Sequence, residues 1–136
     1  MFRTLTALAA LLCTCGAAYA DNQPAIQKEV LTSGSTSWDG TPYPAYPAGA
    51  PELTVLKITI GAHATLPWHS HPIPNAAYVV SGELTVEKLD TGEKKVLTAG
   101  QVLPELVGQV HRGIAGDQPV VLIVFYAGSK GIPLSQ

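Results

Sequence analysis

Cysteine is almost absent from this 136-residue chain: only Cys13 and Cys15 occur. From residue 16 onward no disulfide, thiolate metal site or catalytic thiol can be built, which removes several enzyme classes at once. Charge is also sparse, with 13% Asp, Glu, Lys and Arg, a formal net charge of −2 and no run of one sign. Without a basic stripe there is no electrostatic footprint for nucleic acid or for an anionic membrane surface. Beyond residue 20 no apolar run approaches the roughly 20 residues that a membrane-spanning helix needs. No segment there sustains a helical hydrophobic period either. The expected partners are a small molecule and a second copy of the chain.

What is present begins with a secretory pattern over residues 1–20. Arg3 supplies the positive end, Leu5 to Leu12 the apolar stretch, and Ala18-Tyr19-Ala20 the small-x-small cleavage site before Asp21. Cleavage near Ala20 would remove both cysteines and deliver the protein to the periplasm or the medium. Thr14 is a poor residue before a lipidated cysteine, so lipid attachment at Cys15 is disfavoured. The remaining chain is long enough to close one hydrophobic core.

Residues 21–51 are rich in Pro, Gly, Ser and Thr. In Thr41-Pro42-Tyr43-Pro44-Ala45-Tyr46-Pro47 each proline fixes φ and restricts the residue before it, so this stretch reads as an extended arm. Its tyrosines and Trp38 are either loose or laid over a neighbouring sheet or subunit. An arm of this length could cover the edge strand of a second copy, which gives the expectation of a homodimer.

From residue 52 to residue 136 short β-rich runs alternate with turn signals, the spacing of an all-β sandwich or barrel. Strands are expected over Leu53–Ile60, Ala76–Val80, Glu83–Leu89, Lys95–Leu97, Val102–Glu105, His111–Ala115 and Val120–Tyr126. Leu56, Ile58 and Ile60 share one face, and Leu84, Val86 and Lys88 share another. Ser81-Gly82 reads as a turn or bulge, Asp90-Thr91-Gly92 as a hairpin turn and Gly116-Asp117-Gln118-Pro119 as another.

Two of the four histidines form Trp68-His69-Ser70-His71. Residues two apart on extended backbone point to one face, so His69 and His71 have the spacing of a metal-ligand pair. Alone, such a pair is more often two polar residues on a solvated strand face. His111, which opens another β-rich run, is the third imidazole that a barrel could bring to the same point.

The arrangement around these histidines resembles the cupin superfamily of small jelly-roll barrels. Gly61 is followed by seven residues, His69-Ser70-His71, three residues, Asn75, six residues and Gly82, in the manner of the first cupin motif. Gly100 is followed by five residues, Leu106-Val107-Gly108-Gln109-Val110-His111, three residues and Ala115, in the manner of the second. Asn75 stands where the motif has glutamate, Leu106 where it has proline and Ala115 where it has asparagine. The resemblance implies a single jelly-roll (cupin) β-barrel behind the Pro-rich arm, with His69, His71 and His111 as metal ligands.

An amide at position 75 offers a neutral carbonyl oxygen or nothing, so Asn75 is a metal ligand or a neighbour of one. The expected face is then neutral, and three imidazoles suit Fe, Zn, Ni or Cu better than Mn. Tyr78 and Glu105 are candidates for a substrate pocket, although a carboxylate in a solvated loop is the simpler reading of Glu105. Trp68 alternates away from His69 and is expected outside the barrel, as is Arg112. Phe125 is expected in the core, His63 on the surface, and Glu83 either on the surface or beside the metal's ligands. These residues together point to a secreted metal-binding cupin. By resemblance it would be a small three-histidine dioxygenase acting on an enolisable or phenolic compound. The alternative is a non-catalytic module that binds a small molecule or a metal.

Overall fold

The computed structural model describes residues 26–136; the expected signal peptide and the first residues of the arm lie outside the described residues. Seven strands follow one another: β1 (Pro51–Ile60), β2 (Asn75–Ser81), β3 (Glu83–Lys88), β4 (Lys94–Thr98), β5 (Val102–Pro104), β6 (His111–Ala115) and β7 (Val120–Ser129). They form two antiparallel sheets, in the orders β1-β7-β2-β5 and β4-β3-β6, and no helix occurs among the described residues. The fold is all-β, as the turn spacing and alternation predict, and it is the jelly roll that the cupin resemblance implies.

Alternation decides what each sheet buries. On β7, Val120, Leu122, Val124 and Tyr126 point inward, and they meet Ala77 and Val79 from β2, Leu84 and Val86 from β3, Leu97 from β4 and Leu103 beyond β5's first residue. On β1 exposure falls from Pro51 toward Ile60, with Leu56 and Ile58 half-buried and Ile60 buried. Phe125 departs from its expected place: one step out of phase with Val124 and Tyr126, it lies on the outer face and is 42% exposed. Gly82 links β2 to β3 with φ of 83°, just beyond a register shift between Val79 and Ser81 where β2 pairs with β7. A Cβ on Gly82 would fall on the Pro119 carbonyl oxygen, so both the dihedral and the close backbone approach require glycine.

The arm is partly tied to its own barrel. Thr36 and Pro42 bridge, Gly40 turns the chain with φ of 87°, and the Trp38 amide donates to the Pro104 carbonyl at 3.0 Å. Trp38 thereby covers the edge of β5 and packs on the core. Asp39 meets Lys88 of β3 at 2.8 Å, and the Gln109 side-chain amide donates to the Thr41 hydroxyl at 3.0 Å. Ile26, Val30 and Leu31, further toward the N-terminus, remain exposed.

Candidate metal centre

The segment bearing His69 and His71 is extended without being a regular strand, because Pro67, Pro72 and Pro74 have no N–H to give to a ladder. Isolated pairings hold it instead. His69 and His111 exchange both backbone hydrogen bonds, at 2.9 and 2.8 Å. Gly108 donates to the His71 carbonyl at 2.8 Å. Their side chains therefore leave from registered backbone, and the three rings gather with centroids 4.7 to 5.1 Å apart. One nitrogen from each ring lies within 4.8 Å of the others.

Each ring is oriented by a backbone carbonyl. His69 Nδ1 lies 2.8 Å from the Pro67 oxygen, His71 Nδ1 2.8 Å from that of Leu134 and His111 Nδ1 2.9 Å from that of Gln109. A carbonyl can only accept, so in all three the proton sits on Nδ1 and the neutral ring keeps its lone pair on Nε2. Such a backbone tether on the far nitrogen is the usual support of a metal-bound histidine. His71 and His111 are buried while His69 is half-buried, and His111 Nε2 has no hydrogen-bond partner. Three lone pairs converging in a partly apolar setting fit a divalent transition metal.

Burial lowers the His71 pKa below its usual value, against the opposing pull of the Glu105 charge. Burial also acts to lower His111, but the adjacent Glu105 carboxylate overrides it and the net shift is upward. Burial and the same carboxylate push the Tyr126 phenol up to about 12, which keeps it a neutral donor. Tyr126 stands 5.7 Å from His71, ring to ring. Alternation along β7 could have disclosed it, since it lies in phase with Val120, Leu122 and Val124.

Glu105 corrects the loop reading. It lies two residues past the buried Leu103, hence on the same inner face, and its side chain is 11% exposed with Oε2 3.3 Å from His111 Nε2. Asn75 is buried beside it: the Glu105 amide donates to the Asn75 carbonyl at 3.1 Å. The Asn75 amide nitrogen turns back onto the Ile73 carbonyl at 3.2 Å. Tyr78 corrects the pocket reading. Asn75, Ala77 and Val79 occupy the inner phase of β2, so Tyr78 falls on the outer face, 36% exposed. Trp68 is 38% exposed and stacks under the Arg112 guanidinium at 4.3 Å, while Arg112 also pairs with Glu87 at 2.7 Å. His63 sits in an exposed turn, 3.8 Å from Asp117, apart from the cluster.

A cavity of about 530 Å³ opens onto His69 and His71, walled by Leu56, Ile58, Leu66, Trp68, Tyr126 and Leu134. The lining is thus largely apolar, with the imidazoles, the Tyr126 phenol, Ser135 and Gln136 as its polar groups, the usual make-up of a small-molecule pocket. No sequence signal announced Leu134, whose carbonyl reaches His71 from 63 residues away.

Comparison with curated proteins gives no match. Among solved structures, a cupin-like protein from Thermotoga maritima is 18% identical with a TM-score of 0.53, the match covering 62% of each chain. The DMSP lyase DddQ from Ruegeria pomeroyi is 19% identical with a TM-score of 0.54, the match covering 69% of this chain and 45% of that one. An RmlC-like cupin from Shewanella frigidimarina is 29% identical with a TM-score of 0.51, over 59% of this chain and 69% of that one. The chain therefore spans less than two thirds of the length of the first two. These likenesses agree with the jelly roll derived above, and the cupin domain model matches residues 56–126, the stretch that holds all three clustered histidines. On that match the chain belongs to the cupin family.

Proposed function

We propose that the protein is a metal-dependent cupin enzyme, a small oxygenase acting on an enolisable or phenolic compound. The observation that carries this reading is the apolar cavity of about 530 Å³ opening onto two of three convergent imidazoles. A site that only stored metal would have no need of an organic-sized pocket at its mouth. His69, His71 and His111 would hold the ion, with Fe, Zn, Ni and Cu as the candidates from the donor type. When bound, the ion supplies a Lewis acid for a substrate oxygen and, as iron, a site at which dioxygen reacts.

The chain's own residues do the rest. Leu56, Ile58, Leu66 and Leu134 exclude water and receive the carbon frame of the ligand. Tyr126, neutral over the physiological range, donates a hydrogen bond to an oxygen placed against the histidine face. The backbone tethers on Nδ1 keep the rings from turning away.

Two further parts of the reading rest on other observations. The secretory pattern of residues 1–20 supports a periplasmic or secreted protein. The outer face of β1 and β7 supports a homodimer: Val55 and Phe125 stand opposite each other there, 59% and 42% exposed, beside the 69% exposed Leu53. Apolar side chains so grouped are what a second copy would cover.

The test is metal analysis of protein purified from its own compartment, followed by anaerobic addition of a small diketone or a catechol to the iron-loaded form. A changed visible spectrum and oxygen uptake on admitting air are expected. A spectral change without uptake in the iron, copper and nickel forms would favour the non-catalytic binding module.

A further inference from the structure

Four buried side-chain polar atoms among the described residues have no hydrogen-bond partner. Three of them belong to one corner of the barrel: Asn75 Oδ1, Glu105 Oε2 and His111 Nε2. All three are acceptors. The Gln109 carbonyl fixes the His111 proton on Nδ1, so the Nε2 lone pair confronts a carboxylate oxygen at 3.3 Å. Two buried acceptors in that position repel unless something positive lies between them, and an unpaired buried carboxylate is among the costliest groups a core can hold. A second proton on His111 would offset the repulsion as an ion pair with Glu105, but it would leave Asn75 Oδ1 still without a partner, and Nε2 and Oε2 do not meet in hydrogen-bond geometry. The separation does suit two donors of one cation, because ligands bonded at about 2.1 Å and meeting at ordinary coordination angles stand roughly 3.0 to 3.4 Å apart.

The position of Glu105 on the sheet explains why it can serve. Ala76 pairs with Pro104 and Ala77 with Leu103, and the Glu105 amide continues that ladder to the Asn75 carbonyl. Glu105 is therefore the cross-strand neighbour of Asn75, the position at which the cupin motif carries its acid. On the other side Asn75 pairs with Tyr126, so Glu105, Asn75 and Tyr126 form one inward row across β5, β2 and β7.

We propose that Glu105 completes the metal centre, supplying from the end of β5 the carboxylate that the residue at position 75 lacks. The donor set is then three histidines and one carboxylate. Its charge extends the ions it accepts to oxygen-favouring cations such as manganese, which a neutral three-histidine face would hold poorly. This rests on the metal reading above and deepens it.

The experiment uses the full chain, stripped with chelator, and titrates it with Mn²⁺ and separately with Zn²⁺, following free Mn²⁺ by its electron spin resonance and bound metal by the rise in melting temperature. Wild type is expected to bind both. Glu105→Gln, which keeps the side chain's shape, is expected to bind Mn²⁺ at least about tenfold more weakly, because even residues that only support a ligand are worth that much. The double variant Asn75→Glu/Glu105→Gln, with the acid moved one strand across, is expected to regain Mn²⁺ binding. Mn²⁺ affinity of Glu105→Gln within twofold of wild type would overturn the assignment, as would a wild type that binds Zn²⁺ but not Mn²⁺. Failure of wild type to bind either metal would overturn the metal reading itself, and this assignment with it.

Discussion

Asp39 and Lys88, one in the arm and one on β3, form an ion pair at 2.8 Å whose side chains are only 4% and 8% exposed. Ser37 and Thr41 add hydrogen bonds to the same carboxylate. Burial acts to raise the Asp39 pKa, but these donors together outweigh it and hold the carboxyl well below its ordinary value of 3.8. The Asp39 hydrogen bond raises Lys88 above its ordinary 10.5. A carboxyl depressed in the folded state stabilises fully above its unfolded value and loses that contribution as pH falls through and below it. A raised lysine stabilises fully below its unfolded value and loses that contribution as pH rises further. The melting temperature of wild type should therefore fall more steeply from pH 5 to pH 2, pH values chosen to bracket roughly the ordinary Asp range, than that of Asp39→Asn. At neutral pH the variant should melt lower, and limited proteolysis should cut it faster between residues 30 and 45. Parallel acid profiles would show that the pair does not anchor the arm.

Alanine at His71 should abolish metal binding measured by equilibrium dialysis, whereas alanine at His63 should leave it unchanged. Protons compete with the ion for imidazole, so occupancy should drop as pH falls through the histidine range, near 6.5 for an ordinary side chain. Full occupancy after dialysis at about pH 4 would count against histidine ligation.

Gly82→Ala should cost about 3 kcal/mol or more, since the new Cβ adds a left-handed backbone penalty to a clash with rigid main chain at Pro119 and Val120. Denaturant titration gives the value directly. Gly92→Ala provides the comparison: its φ is 69° but nothing lies within 4 Å of the added Cβ, so it should cost clearly less. Equal losses would mean that the close approach at Gly82 contributes nothing.

In light scattering the protein should have the mass of a dimer, and deleting residues up to 35 or introducing Phe125→Lys on the outer face should lower it. The deletion leaves the Trp38 and Asp39 anchors in place, so the barrel should keep its circular dichroism. A monomer at tens of micromolar would leave the apolar face of β1 and β7 without a second copy to cover it.

The fold was legible in the sequence because period-two alternation and turn residues act locally. Each expected strand occurs, with ends shifted by three residues or fewer. The histidine cluster was legible through motif spacing alone, although its backbone is a set of single bridges. What escaped depended on phase and on distant chain. Phe125 and Tyr126 differ by one residue and so exchange inside for outside. Glu105 looks like a loop acid until its distance from Leu103 is counted. Asp39 and Lys88 lie 49 residues apart, and no local pattern couples them.

The Leu134 carbonyl that fixes the His71 ring brings the tail of the chain to the site. Ser70 and Gln136 also exchange backbone hydrogen bonds, both at 3.0 Å, and Leu134, Ser135 and Gln136 help to wall the cavity. Loss of residues 134–136 would free an imidazole and unroof the pocket at one stroke.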